Sequence, residues 1–469
     1  MARSDSIGKA AVAAMLLAAA ACARQAPLVS RAPGAPRSVV LRNVRVFDAP
    51  RATLAEGLHD VLVRDGRIDA VGSPGLPSHD VPEIDGRGGT LLPGLVDVHT
   101  HTGSSAYPPW RVAFPDVPEN LAAFLYAGVT TVLDLGNLTP EVFRERSRVA
   151  TGAHLGPRLY AAGPVFTAPG GHPAEVLRAW LPWYLRWYVL PRATREVATP
   201  EEARRAVAAL LPERPDVLKI AVDAGTGKVP CLAPETIAAL AATGHQAGVR
   251  SIAHIGSSKE AIDAVRGGVD ALAHAPWREE LSPEAVQVIA EAHVPVVVTL
   301  AVWDLAGTPR TRASDFLPIE REVARPEVVA ALLEAPPMLD ESTAAFVRAA
   351  AAAHDARRHN VAKLRAAGVP VLAGSDACNP GDLPGAGLHV ELAKLVEAGL
   401  TPGEALRAAT WENARFIGGE SADFGEIAVG KRGDLVLVDG DPVARIGDLG
   451  KIARVVLDGA VLVRRTRPE

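Results

Sequence analysis

Aromatic residues are scarce in this chain, at 4% of its 469 positions, and it has only three cysteines and three methionines. So few cysteines exclude a disulfide framework. Apart from Cys22, only Cys231 and Cys378 remain, as free thiols or as a single bridge. The formal net charge is −5 and no basic cluster is present, which excludes nucleic acid as a partner. Gly225-Thr226-Gly227-Lys228 lacks the spacing of a phosphate-binding loop, and no Ser/His/Asp order marks a nucleophilic triad. What is plentiful is apolar residue, 48% against 22% charged, together with glycine and proline. That composition affords a large core with many loops between short elements.

Residues 1–25 read as a signal peptide outside the fold. Arg3 and Lys9 supply a positive start, and Ala10 to Ala21 an apolar stretch too short to span a bilayer as a helix. Ala19-Ala20-Ala21-Cys22 resembles a bacterial lipoprotein cleavage site, with Ala where the usual Leu stands three residues before the Cys. Ordinary cleavage after Ala21 or Ala23 is the alternative. Either way the protein is expected to be exported, as a periplasmic or an outer-membrane-anchored lipoprotein. Membrane attachment would then run through lipidated Cys22. Residues 26–37 are rich in Pro and Ala and read as a linker.

The chain is organised around Leu95-Val96-Asp97-Val98-His99-Thr100-His101, a short apolar run ending in His-x-His. Residues i and i+2 of a strand share a face, so His99 and His101 project together, and paired imidazoles suit a divalent metal. Beyond it, short apolar runs alternate with alanine-rich helical stretches. Eight candidate strands can be counted: Val96–His101, Val129–Leu135, Arg158–Ala162, Val217–Val222, Arg250–His254, Ala271–His274, Val294–Leu300 and Val369–Ser375. The pattern predicts an α/β fold, a (β/α)8 TIM barrel over 94–419, with its site at the C-terminal strand ends. Short β-rich runs at both chain ends, 38–93 and 420–465, predict a small composite β-sandwich domain.

His99, His101, Lys219, His254, His274 and Asp376 all fall at or near those strand ends. One such residue is a satisfied core histidine or a capping Asp. Six are not, because buried imidazoles and charges are costly unless paired or bound. Two further histidines follow strands: His172 in Gly170-Gly171-His172 and His389 after strand eight are candidate substrate contacts. Trp180, Trp183, Tyr184, Trp187 and Tyr188 recur at helical spacing, and packing against the barrel is the leading expectation for them. A lid, an oligomer contact and a membrane contact are the alternatives.

Leu92-Pro93-Gly94-Leu95-Val96-Asp97-Val98-His99-Thr100-His101 resembles the signature of the amidohydrolase superfamily. Ala253-His254, Gly374-Ser375-Asp376 and Gly425-Glu426-Ile427-Ala428-Val429-Gly430-Lys431 carry the resemblance further, toward its imidazolonepropionase-like and prolidase-like branch. The resemblance implies two metals per chain, bridged by a Lys219 carboxylated by CO2. His99, His101 and Asp376 would hold one, and His254 and His274 the other. Zn2+ suits so His-rich a set. A bridging hydroxide would hydrolyse an amide or related C–N bond of a small-molecule substrate, with Asp376 as general acid/base. Prolidase-like members place a Tyr beyond the Lys strand to hold a substrate carboxylate, whereas Ala221-Val222-Asp223-Ala224-Gly225 has none. A homo-oligomer is expected. An esterase or lactonase on the same site and a non-catalytic exported binding protein are the competing functions.

Overall fold

The computed structural model describes residues 26–225, 229–337 and 341–467. The signal segment with Cys22, and most of Gly225–Lys228, lie outside the described residues. The fold is mixed α and β, with three sizeable sheets.

Two of the sheets are wholly parallel. The first contains β1 (Leu95–Thr100), β2 (Val129–Asp134) and β3 (Arg158–Ala161), in the order β3-β2-β1. The second contains β4 (Val165–Thr167), β5 (Thr194–Glu196), β6 (Val217–Val222), β7 (Arg250–Ile255), β8 (Ala271–Ala273), β9 (Val296–Val297) and β10 (Val371–Leu372). Its order is β5-β4-β6-β7-β8-β9-β10. Every residue of β1, β2 and β6 is buried, as continuous apolar strands covered on both faces must be. The sheets meet at both edges. On one side the chain runs from β3 directly into β4, so this stretch pairs with β2 first and with β6 next. On the other side Val98 N donates to Ala373 O at 3.4 Å, and Thr100 bridges Ala377 in parallel.

Helices return the chain between strands, and their starts are written in the sequence. Ser257 caps Ser258–Arg266 by accepting from Glu260 N, and Ser282 caps Pro283–Glu291 by accepting from Ala285 N. Such caps satisfy amide groups that a helix start leaves unpaired. Pro also opens Pro234–Gln246 and Pro283–Glu291, where its missing N–H costs nothing.

The chain ends build the third sheet together. Val39–Asp48 pairs with His59–Arg64 on one side and Thr90–Pro93 on the other, and Thr90–Pro93 pairs with Leu435–Val438. The nine strands form one continuous hydrogen-bonded sheet. Val39, Leu41, Val61, Leu91, Leu435 and Val456 pack in one cluster across it.

Two sequence expectations change here. The linker 26–37 contains a strand, Val29–Ser30, paired antiparallel with Val463–Arg464; Leu28 and Val29 are buried, so apolar burial ties this stretch down. The aromatic segment forms helices Ala174–Trp180 and Trp183–Ala193 but does not pack inward. Trp183 and Trp187 are 79% and 73% exposed, and no residue of the second helix is buried.

Candidate metal centre

The C-terminal ends of the parallel strands converge on one cluster. His99 sits inside the end of β1 and His101 one residue beyond it. Gly374 lets the chain after β10 pass against them: a Cβ there would lie 2.7 Å from His99 Cβ. Asp376 N then donates to His99 O at 2.7 Å, which fixes the two segments in register. The Asp376 carboxylate reaches across, with Oδ1 2.9 Å from His101 Nε2 and 3.3 Å from His99 Nε2. Asn379 Nδ2 donates to the same oxygen at 2.8 Å.

Lys219, buried on β6, places Nζ 3.2 Å from His99 Nε2. His254 on β7 and His274 just past β8 face each other, Nδ1 to Nε2, at 2.8 Å. His274 Nε2 lies 4.0 Å from Asp376 Oδ2. All six residues singled out at strand ends therefore meet in one place. His274 and Asp376 hold φ near 75° and 71°, an uncommon conformation for residues other than glycine. Such backbone costs about 1–3 kcal/mol per residue and concentrates at functional sites.

Three of these residues make a compact ligand set. One atom each from His99, His274 and Asp376 lies within 4.8 Å of the others, and all three residues are buried. His101 belongs with them: its Nδ1 donates to Gly136 O at 2.9 Å, which aims Nε2 at the Asp376 carboxylate. Imidazoles and a carboxylate gathered this closely are a donor set that fits a divalent metal. The grouping of His99, His274 and Asp376 cuts across the division implied by the resemblance, in which His274 pairs with His254. The six side chains form one continuous run of close contacts.

Burial sets the charge of the cluster. It pushes His99 and His274 well below the ordinary imidazole value, His254 to about 4 and Lys219 to about 7. At neutral pH these groups are therefore available as uncharged nucleophiles and ligands. His101 is raised: burial opposes its charge, but the Asp376 carboxylate outweighs burial. Behind the cluster, buried Asp97 accepts from Ser375 Oγ at 2.6 Å and from Ser375 N at 3.0 Å, and burial lifts it to about 7.

His172 is brought alongside. Its ring centroid is 4.6 Å from that of His254, and its Nδ1 is 3.0 Å from Glu175 Oε1. His389 is not. It lies in the first turn of helix Ala386–Glu397, buried, with Nε2 donating to Ala127 O at 2.8 Å. Ala127 precedes β2, so His389 belongs to the opposite end of the strands and is no substrate contact. Its neighbours Leu388, Leu392 and Leu395 are fully buried, and His389 turns inward with that face.

This buried histidine has a consequence for stability. Unfolded His389 takes up a proton near the ordinary 6.5, whereas burial delays this to about 4 in the folded protein. Stability from this residue is full above pH 6.5 and is lost as pH falls toward 4, about 3 kcal/mol in all. Denaturant unfolding across that window should show a shallower fall for His389→Gln than for wild type. Equal slopes would remove His389 from the pH dependence.

Some site residues escape the sequence reading. Asp223, just past β6, accepts from His254 Nε2 at 3.0 Å and from Trp277 Nε1 at 2.8 Å. Arg278 pairs with Asp223 and with Glu260. Trp277 stacks on Trp303 with centroids 4.6 Å apart. An Asp one residue beyond a site strand was the available signal; the two Trp residues offered none. Cys378, two residues past Asp376, is buried, and Cys231 is exposed; both are free thiols.

Comparison with known proteins agrees with this geometry. The model of the amidohydrolase family matches residues 90–462. A dihydroorotase of Mycobacterium tuberculosis is 36% identical over 104 residues, 22% of this chain and 22% of that protein. The chain thus matches less than a quarter of that relative's length. Among solved structures, an amidohydrolase superposes with a TM-score of 0.73 at 25% identity, covering 91% of this chain and 99% of its own. A prolidase complexed with N-methylphosphonate-L-proline gives 0.73 at 25% identity, covering 91% and 100%.

Proposed function

The chain belongs to the amidohydrolase family, with prolidase-like structural neighbours, and from that premise we propose that it hydrolyses amide or related C–N bonds of a small molecule at a binuclear metal site. The observation that carries the proposal is the convergence of His99, His101, Lys219, His254, His274 and Asp376 into one cluster at the strand ends. A non-catalytic binding protein has no use for a buried lysine lowered to about 7 within 3.2 Å of a ligand-type histidine.

In the proposed site, His99, His101 and Asp376 would hold one cation and His254 and His274 the other, with Zn2+ favoured by so many imidazoles. Lys219, as a carbamate, would serve both. Its burial supports this, since an amine held at about 7 is substantially neutral at physiological pH. The neutral nitrogen adds CO2 and releases one proton, leaving a single negative charge shared over two oxygens. When bound, such metals acidify a water and polarise a carbonyl.

The chain's own residues supply the rest. Asp376 accepts the proton of the attacking water and returns it to the leaving nitrogen. Asn379 and the backbone at Gly374 keep its carboxylate aimed between His99 and His101. His172, held by Glu175 at the rim, contacts the substrate. The finer architecture proposed is a closed (β/α)8 barrel over 94–419, with a β-sandwich domain from 38–93 and 420–465. The joined edges of the two parallel sheets support the barrel. Export through residues 1–25, lipid attachment at Cys22 and a homo-oligomer are proposed on sequence alone.

A hydrolysis screen of amide, dipeptide and lactone libraries, with and without chelator, tests the function. Chelator-sensitive turnover of C–N substrates is expected. Turnover confined to lactones and esters would replace the proposal with the esterase reading, and none at all would favour a binding protein.

A further inference from the structure

Asp223 and Thr299 are not among the proposed ligands, yet each touches one of them. His254 Nε2 lies 3.0 Å from Asp223 Oδ2. A carboxylate only accepts, so the His254 proton is on Nε2 and its Nδ1 is bare. Asp223 is itself pinned. Trp277 Nε1 donates to Oδ2 at 2.8 Å, Gly225 N donates to Oδ1 at 2.8 Å, and Arg278 donates to Oδ1 as well. Burial opposes the charge of Asp223, but His254, His172 and Arg278 together hold the carboxyl well below its usual range. Gly256 keeps room for this arrangement: a Cβ there would lie within 2.7 Å of Asp223 Oδ1, Trp277 Nε1 and Arg278 Nη1.

The other ring is oriented from the opposite side. Trp303 Nε1 donates to His274 Nδ1 at 3.3 Å, and Thr299 Oγ lies 2.5 Å from the same nitrogen. An indole N–H only donates, so His274 Nδ1 accepts and its Nε2 carries the proton. That Nε2–H meets the bare His254 Nδ1 at 2.8 Å. His254 therefore presents an acceptor nitrogen to the centre of the cluster.

We infer that Asp223 is a positioning residue that fixes the tautomer of His254 so that its inner nitrogen, Nδ1, is free for a divalent cation. This rests on the proposed metal-binding role of that histidine. An outer partner of this kind raises metal affinity roughly 10- to 100-fold.

Asp223→Asn separates orientation from packing. Its oxygen would stay with Arg278 and Gly225 N, which turns the amide N–H toward His254 Nε2. That nitrogen must then accept, the proton moves to Nδ1, and the inner ligand atom is blocked. The experiment is 15N NMR of histidine-labelled, metal-free protein, followed by Zn2+ titration against a competing chelator. The wild type should show His254 protonated at Nε2. Asp223→Asn should swap the His254 proton and weaken one Zn2+ roughly 10- to 100-fold while the fold is kept. If Asp223→Asn does not fold, the wild-type His254 tautomer decides the case. A wild-type His254 protonated at Nδ1, or a folded variant with unchanged Zn2+ affinity, would overturn the inference. Wild-type protein that binds no Zn2+ would instead overturn the metal reading, and the NMR assignment of tautomers would stand apart from it.

Discussion

Asp376→Asn is expected to lose about 10³-fold or more in kcat while the metal-loaded protein keeps its thermal stability. General acid–base catalysis contributes roughly 10²–10⁴-fold, and a neutral amide oxygen is also a weaker ligand than a carboxylate. The fold should survive because the backbone of residue 376 carries the structural bond, donating to His99 O at 2.7 Å. Asn is near in shape and can still meet Asn379. Steady-state kinetics on a good substrate and thermal melting read both halves. A variant retaining more than about a tenth of wild-type kcat would show that the proton goes elsewhere. His172, beside His254 and paired with Glu175, is then the residue to test.

Lys219→Ala should act through metal content rather than through the proton. Its Nζ is the group nearest His99 Nε2 from β6, and the carbamate is the proposed bridge. Without it the two cations lose their shared anionic ligand and repel each other, so at least one should be lost, with activity falling alongside. Short carboxylic acids such as formate or acetate fit the space left by the side chain and supply two oxygens. They should restore part of both metal content and rate. Full metal content in unsupplemented Lys219→Ala would refute the bridging role, and so would rescue by neutral alcohols of the same size.

The ligand cluster was legible because its residues end apolar runs. His99 and His101 close Leu95–Val98, His254 closes Ser251–Ala253, and His274 closes Ala271–Ala273. Parallel strands put such ends on one side whatever lies between them. Strand limits were less legible. Val165–Thr167 was missed because it is only three residues long, directly after Gly163 and Pro164, where the chain resumes pairing on the other side, with β6. His389 was misplaced because a histidine at a helix start has no strand to fix its end; only the spacing of Leu388, Leu392 and Leu395 marks its buried face. The aromatic helices show the converse. Trp183 and Trp187 share one face, as helical spacing says, but periodicity does not say whether that face meets the core, and here it meets solvent. The role of Asp223 is legible only in three dimensions, because it depends on which nitrogen of a distant ring it touches.

Metal analysis of wild-type protein purified with added Zn2+ tests the central claim most directly. Six converging ligand-type side chains predict close to two metals per chain. Folded, active protein carrying one metal or none would contradict the binuclear site.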